Sequence, residues 1–181
     1  LLLLLSIFSI LMSCKTKDVA IVNRKIIDPE GEPMLIGLTT RDAFKAPEFN
    51  DWYSSEYDSY VPNPEVIKKL KSKTRMYHFE VFFGTWCSDT HEQLPRFMKI
   101  LNEARYPEQN LCLYGVNKKK QSFYSEETQR AIVKIPTFIV YKGNREIGRI
   151  VEAPKETLEL DLYKIIMGEE FKSKELKKII K

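Results

Sequence analysis

The sequence predicts an α/β fold, in which a central mixed β-sheet is flanked by helices. Residues 77–86 are apolar, aromatic and β-branched, as expected for a buried strand. A helix is predicted directly after them, because apolar side chains recur there at spacings of three and four: Leu94, Phe97, Met98 and Leu101. Residues 137–151 contain two apolar segments joined by Gly143-Asn144, which is typical of a β-hairpin.

An N-terminal extension is predicted over residues 34–62. Residues 34–39 have the pattern of a strand, and a short helix with one aromatic face follows them. This face consists of Phe49, Trp52, Tyr53 and Tyr57, which have helical spacing. We expect the face to pack on the domain, and the alternative is an aromatic wall beside a binding site. The main domain is predicted over residues 63–167 and starts with a helix, for which Asn63 is a suitable N-cap and Pro64 a suitable first residue.

Two further helices are expected in the second half of the chain. One is predicted over residues 121–133. The other follows the hairpin, where apolar residues again have helical spacing: Leu158, Leu162, Ile165 and Ile166. Residues 168–181 are basic, and they fit a final amphipathic helix and a solvated tail equally well.

The first twelve residues form an apolar segment that is too short to span a bilayer as a helix. Its length is that of the hydrophobic region of a signal peptide, so residues 1–13 are expected to be a signal peptide truncated at its start. Residues 11–14, Leu-Met-Ser-Cys, resemble a bacterial lipobox, whose cysteine is acylated. We therefore expect Cys14 to be a lipidation site and residues 14–33 a tether, with a plain secretory signal as the alternative. This places the protein at the bacterial cell envelope, facing the periplasm or the exterior.

The charge distribution argues against nucleic acid as a partner. The net charge is +4, from 29 basic and 25 acidic residues whose signs are interspersed along the chain, and no basic stripe is present. Protein thiols of the cell envelope or small thiols are the expected partners, together with the membrane through Cys14. No cofactor is expected.

Cys87 is the principal candidate for chemistry because it lies between the predicted buried strand and the following helix. At such a junction backbone N–H groups converge and the helix dipole is positive, so a thiolate, the nucleophilic form, is favoured. Asp89 opposes a second negative charge nearby, whereas His91 supports the thiolate when protonated. We expect a modestly activated thiol.

Several features together resemble the thioredoxin superfamily over residues 63–167. Trp86-Cys87 resembles its active-site corner, and Pro95 follows eight residues later, where the family has a helix-bending proline. Ile135-Pro136 resembles the cis-proline loop, 49 residues after Cys87. The resemblance implies a thioredoxin-like fold with Cys87 as the nucleophile. It further implies that Trp86, Ile135 and Pro136 form the substrate-binding surface.

Two departures from the family pattern change the expected chemistry. The second cysteine of the Cys-x-x-Cys motif is replaced by Thr90, which we assign with Cys87 to the catalytic pair because its N–H and hydroxyl are placed to stabilise the sulfur. The buried acid of the family is replaced by Val81. Glu80 is no substitute for that acid, because strand alternation directs it to the opposite face.

The leading hypothesis is a membrane-anchored, monothiol thioredoxin-like protein that forms mixed disulfides through Cys87. Without a second thiol, attack on a disulfide stops at the mixed disulfide, so turnover needs an external thiol. The alternative is a binding or scaffold lipoprotein that keeps the fold without catalysis. A metal site at Cys87 and His91 is disfavoured, because two ligands do not make a tight site.

Overall fold

A computed structural model describes residues 21–179, with side chains described up to residue 168. The described residues form a mixed six-stranded sheet of order β1-β2-β4-β3-β5-β6, in which β3 and β4 are parallel and the other neighbours antiparallel. The strands are β1 (Arg24–Ile27), β2 (Pro33–Thr39), β3 (His78–Phe83), β4 (Leu111–Gly115), β5 (Thr137–Lys142) and β6 (Arg145–Val151). The helices are α1 (Pro47–Ser59), α2 (Pro64–Lys71), α3 (Ser88–Glu103), α4 (Glu126–Gln129) and α5 (Leu158–Ile179). The predicted fold class is thus confirmed.

The larger hydrophobic core lies on the face of the sheet that packs against α1, α2, α3 and α5. Phe79, Val81 and Phe83 alternate along β3 and are fully buried there. The ring centroid of Phe97 lies 5.8 Å from that of Phe79 and 4.7 Å from that of Phe138, which fastens α3 to the sheet. This packing fixes the helix whose first turn carries the candidate site.

A smaller apolar cluster lies on the other face of the sheet. It consists of Phe82, Val116, Ile135 and Ile139, with Trp86 and Cys87 among the partly exposed residues packed against it. The junction between β3 and α3 therefore lies at the end of this second cluster.

The N-terminal extension begins earlier than the sequence predicts. Residues 24–27 form β1, which pairs antiparallel with β2, although the pattern of residues 14–33 predicts a tether. The turn residues before β2 close a hairpin: Asp28 Oδ1 accepts hydrogen bonds from Glu30 N (2.9 Å) and Glu32 N (2.8 Å), and Gly31 has φ of +92°. Asp-Pro-Glu-Gly therefore marks a turn inside the folded domain.

The aromatic face of α1 packs on the domain, as the favoured interpretation predicts. Phe49 is 1% exposed, and the Tyr53 ring stacks on Phe44 with a centroid distance of 4.8 Å. Asn63 caps α2 as predicted, because its side chain accepts hydrogen bonds from the amides of Glu65 and Val66.

Two helix predictions differ from the structure. The helix predicted over residues 121–133 is reduced to the four residues of α4, because Ser125 (φ +58°) and Ala131 (φ +50°) have left-handed backbone that a helix cannot contain. Helix α5 continues to Ile179 with no break at residue 168, where the sequence predicts a separate C-terminal segment.

Glu159 joins α5 to the N-terminal extension. It is 2% exposed, and its carboxylate accepts hydrogen bonds from Tyr60 Oη (2.7 Å) and Asn63 N (3.0 Å). Burial raises the pKa of Glu159, but these hydrogen bonds outweigh burial and bring it below its usual value. The carboxylate therefore stabilises the fold at neutral pH, and this contribution is lost as the pH falls below the usual range of a glutamate.

We expect Glu159→Gln to lower the free energy of unfolding at pH 7 by about 1–3 kcal/mol, because one buried oxygen acceptor becomes a donor. Urea denaturation at pH 7 and pH 3 measures the effect, which should shrink at the lower pH. Glu103→Gln, at an exposed position on α3, is the control and should have little effect. An equal loss for both variants would contradict the assignment.

Candidate functional site

Cys87 is the N-cap residue of α3, at the predicted strand-to-helix junction. Its backbone is extended (φ −99°, ψ 125°), its N–H donates to Gly84 O (3.0 Å), and its carbonyl accepts from His91 N (3.1 Å). The thiol is free and partly exposed. The main chain on both sides is thus held while the sulfur stays accessible. Pro95 lies inside α3, as the resemblance implies.

The loop before β5 faces this sulfur. The Ile135–Pro136 peptide bond is cis, and Cys87 Sγ lies 3.8 Å from Ile135 O, within the range of a weak S–H hydrogen bond. Glu152 N donates to Pro136 O (2.7 Å), which attaches the loop to the end of β6. The structure therefore brings Ile135 and Pro136 next to Cys87, as the resemblance implies.

Trp86 closes one side of the site. Its Nε1 donates to Val116 O (3.0 Å), which orients the ring along the end of β4. A Cβ atom added to Gly84 would lie 2.7 Å from the Trp86 ring and 2.8 Å from Ile135 Cδ1. Gly84 is therefore required for these two side chains to meet. Sequence reasoning missed this role, although a glycine at the end of a predicted strand was an available signal.

Thr90 lies directly beneath the corner and is fully buried. Its hydroxyl oxygen accepts a hydrogen bond from Gly84 N at 3.3 Å, so it supports the main chain between β3 and α3. Thr90 thus occupies the place of the second thiol with an oxygen that binds backbone. Its predicted role in stabilising the sulfur stays a prediction.

His91 is turned towards α1. Its ring stacks on Trp52 with a centroid distance of 4.2 Å, and Nε2 lies 2.6 Å from Thr85 O. Because a carbonyl oxygen only accepts, Nε2 carries the hydrogen in this contact. His91 therefore holds the main chain at Thr85, two residues before Cys87. Within residues 21–179, His, Cys, Asp and Glu form no group of three or more that is suited to hold a metal ion.

Val81 and Glu80 lie on opposite faces of β3, as strand alternation predicts. Val81 is fully buried in the larger core, so its position offers no proton acceptor. Glu80 is 6% exposed on the second face, where its carboxylate binds Arg130. Glu80 does not take the place of the missing acid.

The predicted signal peptide and Cys14 lie outside the described residues. In the part of the chain that is described, no helix combines the length and apolar character needed to cross a bilayer.

Comparison with known proteins places this geometry in a family. The thioredoxin family profile matches residues 46–167, about two thirds of the chain. A thioredoxin-like protein of Acanthamoeba polyphaga mimivirus is 30% identical over 78 residues, which are 43% of this chain and 54% of that protein. The chain thus spans about half the length of this curated relative.

The solved structures that match this chain include two that share 18% sequence identity with it. A Pseudomonas aeruginosa protein of unknown function has a TM-score of 0.48, covering 66% of this chain and 81% of that one. Oxidised mitochondrial thioredoxin 3 from Saccharomyces cerevisiae has a TM-score of 0.37, covering 65% and 99%. Because the thioredoxin profile matches about two thirds of the chain, including the cysteine corner, the chain belongs to the thioredoxin family.

Proposed function

We propose that this protein is a monothiol thioredoxin-like protein that forms mixed disulfides through Cys87. The observation that carries this proposal is the free, partly exposed Cys87 thiol at the start of α3, 3.8 Å from Ile135 O. Backbone amides at a helix N-terminus favour the thiolate, which is the nucleophile in disulfide exchange. The partly exposed Trp86 ring supplies an apolar wall for an incoming chain, and the main chain of Ile135, whose side chain is 4% exposed, would pair with the backbone of that chain.

The reaction has two steps, and each is a thiol–disulfide exchange that needs no separate oxidant or reductant. The Cys87 thiolate attacks one sulfur of a substrate disulfide, so a Cys87–substrate disulfide forms and the other substrate sulfur leaves as a thiolate. A small thiol such as glutathione then attacks the substrate sulfur of this mixed disulfide as its thiolate. Cys87 is released as a thiolate, and the substrate sulfur is now bonded to the small thiol.

Thr90 explains why a second protein thiol takes no part in the proposed cycle. Its side chain is fully buried and its oxygen binds Gly84 N, so the position one turn after Cys87 supplies no resolving sulfur. The mixed disulfide therefore persists until an external thiol arrives. A long-lived covalent complex with the substrate is the expected signature.

The proposed substrates are protein disulfides of the bacterial cell envelope or small disulfides. We propose that Cys14 is lipidated and holds the domain at the membrane, because it ends the lipobox-like segment after an apolar run. In a bacterial host that secretes the chain, labelling with a fatty acid should mark the wild type and not Cys14→Ser. Equal labelling of both would contradict the anchor.

The exchange proposal is tested with a mixed disulfide of glutathione and a cysteine peptide. We expect the Cys87 thiolate of the wild-type protein to attack the glutathione sulfur, so that the peptide leaves as a thiolate and a Cys87–glutathione adduct forms, seen by intact mass and peptide mapping. Added glutathione should then attack the glutathione sulfur of the adduct, which releases the Cys87 thiolate and oxidised glutathione and completes a turnover. Cys87→Ser should lose at least about 100-fold of the turnover, because the substitution removes the sulfur that attacks the disulfide. Ser88→Ala, next to the thiol, is the control and should retain it.

An inert Cys87 in the folded protein would instead support the second candidate, a binding module that retains the fold without catalysis. Two observations favour that candidate: Thr90 fills the place of the resolving thiol, and Val81 fills the place of the buried acid.

A further inference from the structure

The second face of the sheet contains an ion pair between the buried Glu80 of β3 and the partly exposed Arg130. Arg130 Nε lies 2.6 Å from Glu80 Oε2, and Arg130 Nη2 lies 3.0 Å from Glu80 Oε1, so the guanidinium donates a hydrogen bond to each carboxylate oxygen. His78 Nε2 lies 3.7 Å from Glu80 Oε1 on the same side. Two parallel bonds to a planar carboxylate hold an arginine in one orientation.

The main chain of Arg130 is also attached to the sheet. Its carbonyl accepts a hydrogen bond from Arg149 Nη2 of β6 (3.1 Å). The Arg149 guanidinium also donates two hydrogen bonds to the Glu146 carboxylate, from Nε to Oε1 and from Nη2 to Oε2, each 2.6 Å long. Arg130 is therefore fastened to β3 through its side chain and to β6 through its backbone.

The segment that follows Arg130 leads to the proline loop opposite Cys87. Residues 130–136 belong to neither a helix nor a strand, and Ala131 has left-handed backbone (φ +50°). Its position therefore depends on individual contacts, such as Lys120 Nζ to Val133 O (2.9 Å). Without repeated ladder hydrogen bonds, such a segment is held only as firmly as these contacts allow.

Glu80 and Cys87 depend on the same strand. Glu80 lies within β3, and Cys87 follows the end of β3 four residues after Phe83. The Glu80–Arg130 ion pair therefore attaches the segment that leads to the proline loop to β3, the strand that precedes Cys87. Burial raises the pKa of Glu80, but His78 and Arg130 outweigh burial and lower it to about 2. The carboxylate is thus ionised at any pH at which a thiol exchanges.

We propose that Glu80 and Arg130 are positioning residues, which hold the loop containing Ile135 and Pro136 against Cys87 for disulfide exchange. The proposal rests on the proposed function of Cys87 and extends it to the second face of the sheet. Neither residue touches the reacting sulfur. Their effect is on how a bulky disulfide meets Cys87, while a small reagent that needs no docking surface reacts independently of them.

The test replaces both charges together in the variant E80L/R130M. Net charge is unchanged, and replacing both members of the pair by apolar residues avoids leaving a buried charge at Glu80 without its partner. The control is E156L/K164M, which removes an exposed ion pair of the same charges on the C-terminal side of the hairpin. Cys87 is then reacted with the glutathione–peptide disulfide and, separately, with iodoacetamide.

We expect E80L/R130M to react with the peptide disulfide about 10-fold more slowly, because small displacements of a docking surface reduce rates strongly. Its iodoacetamide rate should stay within about 2-fold of the wild type, because this reagent needs only the sulfur. Amide hydrogen exchange over residues 131–135 should accelerate, while exchange in β3 and β5 stays slow. The control should match the wild type in all three measurements.

Equal slowing with both reagents, or no slowing with either, would overturn the proposal. If E80L/R130M does not fold, Arg130→Lys takes its place in the test. Lysine keeps the charge but cannot make the two parallel hydrogen bonds to the Glu80 carboxylate. The same outcomes then support or overturn the proposal. If the wild type fails to react with the disulfide, the proposed function falls. Hydrogen exchange then decides the positioning role alone: faster exchange over residues 131–135 in the variant supports it, and unchanged exchange refutes it.

Discussion

Gly84→Ala is expected to lower both the stability of the protein and the reactivity of Cys87. The added Cβ would lie 2.7 Å from Trp86 Cε2 and Nε1 and 2.8 Å from Ile135 Cδ1. The Trp86 ring is held by its hydrogen bond to Val116 O, so relief requires the ring or the proline loop to move. We expect a loss of about 1–3 kcal/mol in the free energy of unfolding, the usual cost of overpacking.

The same substitution reaches Cys87 through the main chain. Gly84 N donates to the Thr90 hydroxyl, and Gly84 O accepts from Cys87 N, so a shift of Gly84 moves the N-cap. The rate with the peptide disulfide should fall by about 10-fold or more, because reacting groups are sensitive to small displacements.

Urea denaturation and the disulfide-exchange rate measure these two effects. Gly168→Ala is the matched control, since a Cβ there meets no atom of the described residues within 4 Å. Because alanine favours a helix over glycine, this control should be neutral or slightly stabilising. A Gly84→Ala protein with wild-type stability and reactivity would show that the side chains of Trp86 and Ile135 do not pack tightly against Gly84.

Thr90→Cys is expected to convert the monothiol corner into a dithiol. Thr90 lies three residues after Cys87 in the first turn of α3, where helical geometry separates Cα atoms by about 5 Å, within the range for a disulfide. The introduced thiol can attack the mixed disulfide at Cys87 Sγ, which releases the substrate thiol and leaves a disulfide between Cys87 and the introduced cysteine. Reduction of insulin by this variant, with dithiothreitol as reductant, should rise from undetectable to measurable.

Thr90→Ser is the control for this gain, because it keeps the hydroxyl that accepts from Gly84 N. It should remain inactive towards insulin. A folded Thr90→Cys protein that stays inactive would indicate that the corner serves binding, because a resolving thiol would then be present without exchange.

The parts of the fold that follow from local pattern were predictable. The buried strand, the helix that begins at Ser88 and the hairpin around Gly143-Asn144 each have a periodicity or turn that specifies them. Strand alternation was enough to separate Glu80 from Val81. The pattern was less informative over residues 121–133, where left-handed residues without glycine interrupt the helix.

The contacts between distant segments were not predictable from the sequence. Glu80 and Arg130 are 50 residues apart, and a charged residue in a strand gives no indication of its partner. The role of Gly84 depends on Trp86 and Ile135 meeting above it, and the resemblance placed both residues near Cys87 without giving their packing. The stacking of Trp52 on His91 likewise depends on how α1 packs beside α3.

The central claim is that the fold makes Cys87 a reactive nucleophile. The most direct test compares the rate at which Cys87 forms an adduct with the glutathione–peptide disulfide in the folded chain and in the same chain unfolded in guanidinium, with peptide mapping to assign the sulfur. A faster rate at Cys87 in the folded protein is the predicted result. A folded protein whose Cys87 is inert, while the unfolded chain reacts there, would contradict it.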